Sequence, residues 1–143
     1  MINGCILYPK QYSYIYKISF LSFFSSLYAI YRGYYDLALV PGSVFLTSIN
    51  YWRKPDYSWR RYFDVFIVLL VFTYQNVRAY KAEYMYTYYT LMTISVFFFF
   101  FGIYLFKINE WWYSVYSHCL LHFFANLSNF ILYSGHIAPL SMV

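Results

Sequence analysis

Residues 84–106 read YMYTYYTLMTISVFFFFFGIYLF, 23 positions without a charged side chain that include the unbroken run Phe97–Phe101. A helix needs about 20 apolar residues to cross the hydrocarbon core of a bilayer, so this stretch has the length and composition of one span. A lipid-facing strand would alternate with period two over about 10 residues, which five successive Phe do not. The reading is therefore a helix. The remainder of the 143 residues is of the same kind: 62% apolar, 29% aromatic and 10% charged. Soluble domains carry about 25% charged residues, and so few charges cannot solvate a water-exposed sphere of this size. Disorder is excluded for the opposite reason, an excess of apolar surface. Two cysteines, Cys5 and Cys119, can neither staple a secreted mini-protein nor close a four-thiolate zinc site. The 21 Tyr, 16 Phe and 4 Trp suit a lipid–water boundary. An integral membrane protein is expected.

The sparse charges punctuate the rest. Uncharged runs lie between Lys17 and Arg32, between Asp36 and Arg53, from Val65 to Val77, and from Trp111 to about Tyr133. Counting flanking Tyr and snorkelling Lys or Arg gives five spans, at 15–32, 36–52, 62–79, 85–106 and 111–133, with the last two long enough outright. Four is the fallback if the first or second lies in the interface. The expected fold is an all-α, polytopic transmembrane helix bundle forming one domain over 1–143. Pro55 and Pro139 read as loop punctuation, no repeat is visible, and Met1–Lys10 lacks the features of a cleaved signal peptide.

With five spans, Lys10, Lys17, Arg53, Lys54, Arg60, Arg61 and Lys107 fall on one side and Arg32, Arg78 and Lys81 on the other. The excess of basic residues places the N-terminus in the cytosol and the C-terminus outside or in a lumen. The net charge of +5 is explained by topology, and no basic folded module for nucleic acid is expected.

Some polar groups ask for more than a spanning role. Asp64 stands one turn into the third span, where a carboxylate is costly, and Arg60 or Arg61 is its nearest partner at helical spacing. His118 and His122, four apart in the fifth span, stack on one helical face and can approach one metal ion or one partner. Ser48, with Asn50 and Trp52 after it, closes the second span. Ser48, Trp52, Asp64, His118 and His122 therefore share one half of the membrane. His136, 14 residues past His122, would lie about 21 Å further along a continuous helix, too far to join them. The acceptor pattern Asn126-Leu-Ser128 lies inside the fifth span, out of reach of a glycosyltransferase.

The order Ser48-Ile-Asn-Tyr-Trp52, Asp64, His118-Cys-Leu-Leu-His122 resembles the CREST superfamily, the alkaline ceramidases and adiponectin-receptor-like membrane hydrolases. That family carries Ser-x-x-x-His at the end of its second helix, Asp at the start of its third, and His-x-x-x-His in its last. The resemblance implies zinc held by His118 and His122, with Ser48 and Asp64 as catalytic groups acting on an amide or ester of a lipid. Two departures count. Five helices stand where the family has seven, and Trp52 takes the place of its first zinc-binding His. Indole offers only an N–H donor and cannot ligate. If Asp64 replaced the missing ligand it would be lost as the base. The expected site is thus degenerate, binding zinc weakly or not at all.

Three functions are weighed. The first is a non-enzymatic structural or assembly component, in contact with lipid and with other membrane protein subunits; small size and short hydrophilic loops favour it. The alternative is a zinc-dependent intramembrane lipid amide or ester hydrolase. A channel or transporter is weaker, because Pro41-Gly42 is the only break within a span and transporters show paired ones.

Overall fold

The computed structural model describes residues 4–139 and is all-α, without a strand among them. Five helical rods arise from six segments: α1 (Pro9–Ile18), α2 (Phe20–Tyr31), α3 (Tyr35–Trp52), α4 (Trp59–Ala79), α5 (Met85–Lys107) and α6 (Trp111–Ser134). α1 and α2 meet at Ser19, which keeps helical angles (φ −59°, ψ −22°). Its hydroxyl donates to the Ile15 carbonyl at 2.8 Å, a side-chain bond that competes with the helical ladder and marks the break. The first rod therefore begins six residues earlier than the reading from charge suggested; Lys10 and Lys17 ride on α1 with their neighbours Gln11 and Ile15 turned inward.

Short turns make successive rods antiparallel. Gly33 ends α2 with φ +79°, and its N–H and that of Tyr34 bond to Ile30 and Ala29. Asn109 does the same after α5, with φ +65° and bonds from Asn109 and Glu110 to Phe106 and Leu105. These are left-handed helix caps that reverse the chain within a few residues. α5 packs on α6, α6 on the α1–α2 rod, that rod on α3, and α3 on α4, while α4 and α5 scarcely meet.

Small residues and hydroxyls hold these contacts. Ser26 donates to the Ala38 carbonyl at 2.7 Å, and a Cβ on Gly42 would stand only 3.1 Å from the Ser26 oxygen. Between α5 and α6, Ser114 donates to Gly102 and Ser117 to Phe98, both at 2.8 Å, and Ser95 to Leu121 at 3.1 Å. Close approach over Gly, Ala and Ser with interhelical hydrogen bonds is the packing that apolar surroundings favour. Pro41 sits inside α3 and cannot donate to the Leu37 carbonyl one turn back. Tyr133 of α6 brings its hydroxyl to 3.4 Å from that oxygen.

Among the described residues one rod, α5, is long and apolar enough to cross a membrane by length and composition. The expectation that α6 qualifies on the same terms is not met. Its polar residues Ser117, His122, Asn126, Ser128 and Asn129 lower its apolar content, and all five are buried within the bundle.

Candidate functional site

The five residues singled out from the sequence gather at the end of the bundle where α3 and α5 finish and α4 and α6 begin. Ser48 and Trp52 lie four residues apart on one face of α3. The Ser48 hydroxyl donates to Asp64 Oδ1 of α4 at 3.2 Å, and both residues are buried. The indole of Trp52 meets the His118 ring edge-on, with centroids 4.8 Å apart, and the His118 and His122 rings lie 5.1 Å apart. Trp52 also packs into the apolar cluster of Leu7, Ile15 and Val115. Two sub-sites result: a Ser48–Asp64 pair between α3 and α4, and a Trp52–His118–His122 stack between α3 and α6.

Asp64 does not pair with Arg60 or Arg61. Arg60 is held by the end of α3 and the α3–α4 loop, donating to the Asn50 carbonyl at 3.1 Å, the Lys54 carbonyl at 2.7 Å and Asp56 Oδ2 at 2.8 Å. Arg61 lies over the Tyr57 ring, 5.1 Å from its centroid. The last turn of α3 and the loop offer Arg60 four acceptors, the Ser58 hydroxyl at 3.3 Å among them, whereas Asp64 points inward at α3. Asp56 also accepts from the Ser58 hydroxyl and, at 3.1 Å, from the Ser58 N–H. The Ser58 hydroxyl and then Arg60 hold the Asp56 carboxyl below its ordinary 3.8. This loop clamp is complete above pH 3.8 and is lost as pH falls through the lowered value. An NMR titration of the Asp56 carboxyl should therefore show a midpoint below 3.8.

Near the opposite end the structure holds a second polar constellation that the sequence reading passed over. Arg78 Nε and the Tyr74 hydroxyl both donate to Asp36 Oδ2, at 2.7 and 2.8 Å, and Arg78 Nη1 donates to the Ala138 carbonyl at 2.6 Å. One turn inward, the Tyr133 hydroxyl donates to Gln75 Oε1 at 3.0 Å and Gln75 Nε2 donates to Asn129 Oδ1. Tyr88 Oη, buried beside Gln75, is the one fully enclosed side-chain polar atom without a hydrogen bond among the described residues. Asn126 links this constellation towards the histidines: it accepts from Ser25 at 2.7 Å and donates to Ser22 and to the His122 carbonyl. The signal for it was present in α6. His118, His122, Asn126, Asn129 and Tyr133 recur at spacings of four and three, a polar stripe along one helical face. His136 lies past the end of α6 with its N–H on Glu83.

The residues present do not fit the zinc site that the CREST pattern implies. A nitrogen ligand is missing at Trp52, whose indole packs against His118. Asp64 is engaged by Ser48, and among the described residues no three His, Cys, Asp or Glu side chains converge as a metal would require. Comparison of the chain with family models, with curated proteins and with solved structures finds no match.

Proposed function

We propose that this chain is a multi-pass membrane protein whose five rods cross the bilayer, and that it serves as a packing subunit among other membrane-embedded chains rather than as an enzyme. One observation carries the membrane part: polar side chains share the interior while many large apolar ones stand exposed. Gln75 is 1% exposed, Asn126 3% and Arg78 4%, while Leu39 is 70% exposed, Phe100 63% and Phe66 61%. In water the apolar side chains belong inside and the amides outside. In lipid nothing is gained by hiding Leu or Phe, and polar side chains turn inward to find one another. The rings of Tyr57, Trp59, Trp112 and Tyr113 stand exposed around the starts of α4 and α6, where an interfacial aromatic belt would lie.

The non-enzymatic part follows from the Trp52–His118 contact, which fills the place of a third nitrogen ligand with an indole. The second reading, a CREST-like zinc-dependent lipid hydrolase, is favoured only by the gathering of Ser48, Asp64, His118 and His122 at one end. Metal analysis of the purified protein separates the two. Stoichiometric zinc that disappears in the His118→Ala, His122→Ala double variant would support the hydrolase; none would support the packing subunit.

Membrane insertion has its own test. Phe97→Arg places a cation on an exposed face midway along α5, at a cost of about 2.5–3.5 kcal/mol on insertion scales. The variant is expected to be released by carbonate extraction while the parent chain is retained. Reporters before Met1 and after Val143 should fall on opposite sides, the first cytosolic. Both on one side would mean an even number of crossings.

A further inference from the structure

A cleft of about 660 Å³ opens beside the start of α6, a size typical of small-ligand sites. Its wall combines two kinds of group. Tyr8, Trp111, Trp112, Tyr113 and Tyr116 supply aromatic surface, and Lys10, Gln11 and Glu110 supply polarity. The rings are grouped: Tyr8 and Trp111 lie 6.1 Å apart by centroid, and Trp112 and Tyr116 6.0 Å.

The polar groups include unused donors. Gln11 is 2% exposed and lines the cleft; its Oε1 accepts from the Tyr8 N–H at 3.0 Å, and its Nε2 makes no hydrogen bond among the described residues. α6 is 24 residues long, and no side chain caps its N-terminus. Its ladder begins with Ser114 N–H to Glu110 O, which leaves the amides of Trp111, Trp112 and Tyr113 without helical acceptors. Free amides at a helix start, the Gln11 amide and the Lys10 ammonium give the cleft donors for a phosphate. Aromatic faces and the Glu110 carboxylate line the same cleft and suit the quaternary ammonium of a zwitterion.

We propose that this cleft binds the headgroup of a phosphocholine lipid. The phosphate sits at the start of α6 within reach of Lys10 and Gln11, and the trimethylammonium sits against the rings beside Glu110. The acyl chains then run along the exposed row Tyr113, Tyr116, Leu120 and Phe123, which leads away from the cleft at helical spacing. This rests on the membrane reading above, because a headgroup is at hand only if this end of the bundle meets the bilayer surface.

The test is native mass spectrometry of the full chain in detergent. The protein is offered equal amounts of phosphatidylcholine and phosphatidylglycerol with identical acyl chains, with free phosphocholine as a third arm. One phosphatidylcholine should be retained about tenfold in preference to phosphatidylglycerol, the difference a cation–π site with a carboxylate supplies. Glu110→Gln and, separately, Trp112→Leu should each reduce that preference, with helicity unchanged by circular dichroism. Equal retention of both lipids, or a preference untouched by both variants, would overturn the site. Displacement of the lipid by free phosphocholine at equal concentration would overturn its assignment to a lipid. Vesicle flotation keeps the two readings apart. A protein that floats without headgroup preference refutes the cleft alone, and one that does not float refutes the membrane reading.

Discussion

Replacing Trp52 by His is expected to raise zinc affinity on the order of a hundredfold. The indole of Trp52 already lies against His118, and His118 against His122, so an imidazole on the same α3 face would be directed at the two existing ones. Two His on one helix leave a tetrahedral ion half-coordinated, and a third nitrogen completes the set found in hydrolytic zinc sites. Four-ligand structural sites bind zinc with about 10–16 kcal/mol, so one added ligand is worth enough for two decades. Calorimetry of parent and variant in the same detergent reads the effect directly, without an assay of activity. A gain abolished by His122→Ala would place the ion on α6. Equal affinities would show that position 52 does not direct an imidazole at the pair, and the likeness to the CREST pattern would then carry no chemistry.

Asp36→Asn should destabilise the bundle by about 1–2 kcal/mol. Removing one partner of a buried ion pair costs about 3–5 kcal/mol and of an exposed one about 0–1, and this pair lies between because the Asp36 side chain is 39% exposed while that of Arg78 is 4%. The variant keeps the size of the side chain and loses the charge that Arg78 Nε and the Tyr74 hydroxyl share. Adding Arg78→Met should recover part of the loss, since no charge is then left unpaired. Thermal unfolding of the purified protein followed by circular dichroism measures both. Equal stability of Asp36→Asn and the parent would mean that water or headgroups reach Arg78 and replace the carboxylate.

The rods were legible because charges are scarce enough here to act as boundaries. Lys107 and Trp111 bracket the α5–α6 turn, and Arg53 and Trp59 the α3–α4 loop, within a few residues of the helix ends. The start of the first rod was not, since α1 carries two lysines and reads as flank rather than helix. That Ser48, Trp52, Asp64, His118 and His122 share one end follows from direction and depth, given antiparallel rods, but which of them meet does not. The partner of Asp64 is not visible in the sequence because spacing sees Arg60 one turn away and cannot see that the carbonyls of Asn50 at the end of α3 and Lys54 in the loop hold it. Asp36 and Arg78 escaped notice for a similar reason. Each stands at the end of a different rod, 42 residues apart, and only the packing of α3 on α4 makes them neighbours.

The partly polar interior has a thermodynamic consequence. Water-solvated domains draw their curved stability profile from apolar surface that is hidden when folded and wetted when unfolded, about 12–15 cal/mol/K per residue. Here the joints between rods combine serine-to-carbonyl bonds, amide pairs and one ion pair with a small apolar cluster around Leu37, Tyr88, Leu132 and Tyr133, while many Phe side chains already face outward. Separating the rods within a bilayer would transfer little hydrocarbon into water. The heat-capacity increment should therefore be small, the free energy nearly linear in temperature, and resistance to cooling a built-in property of the bundle.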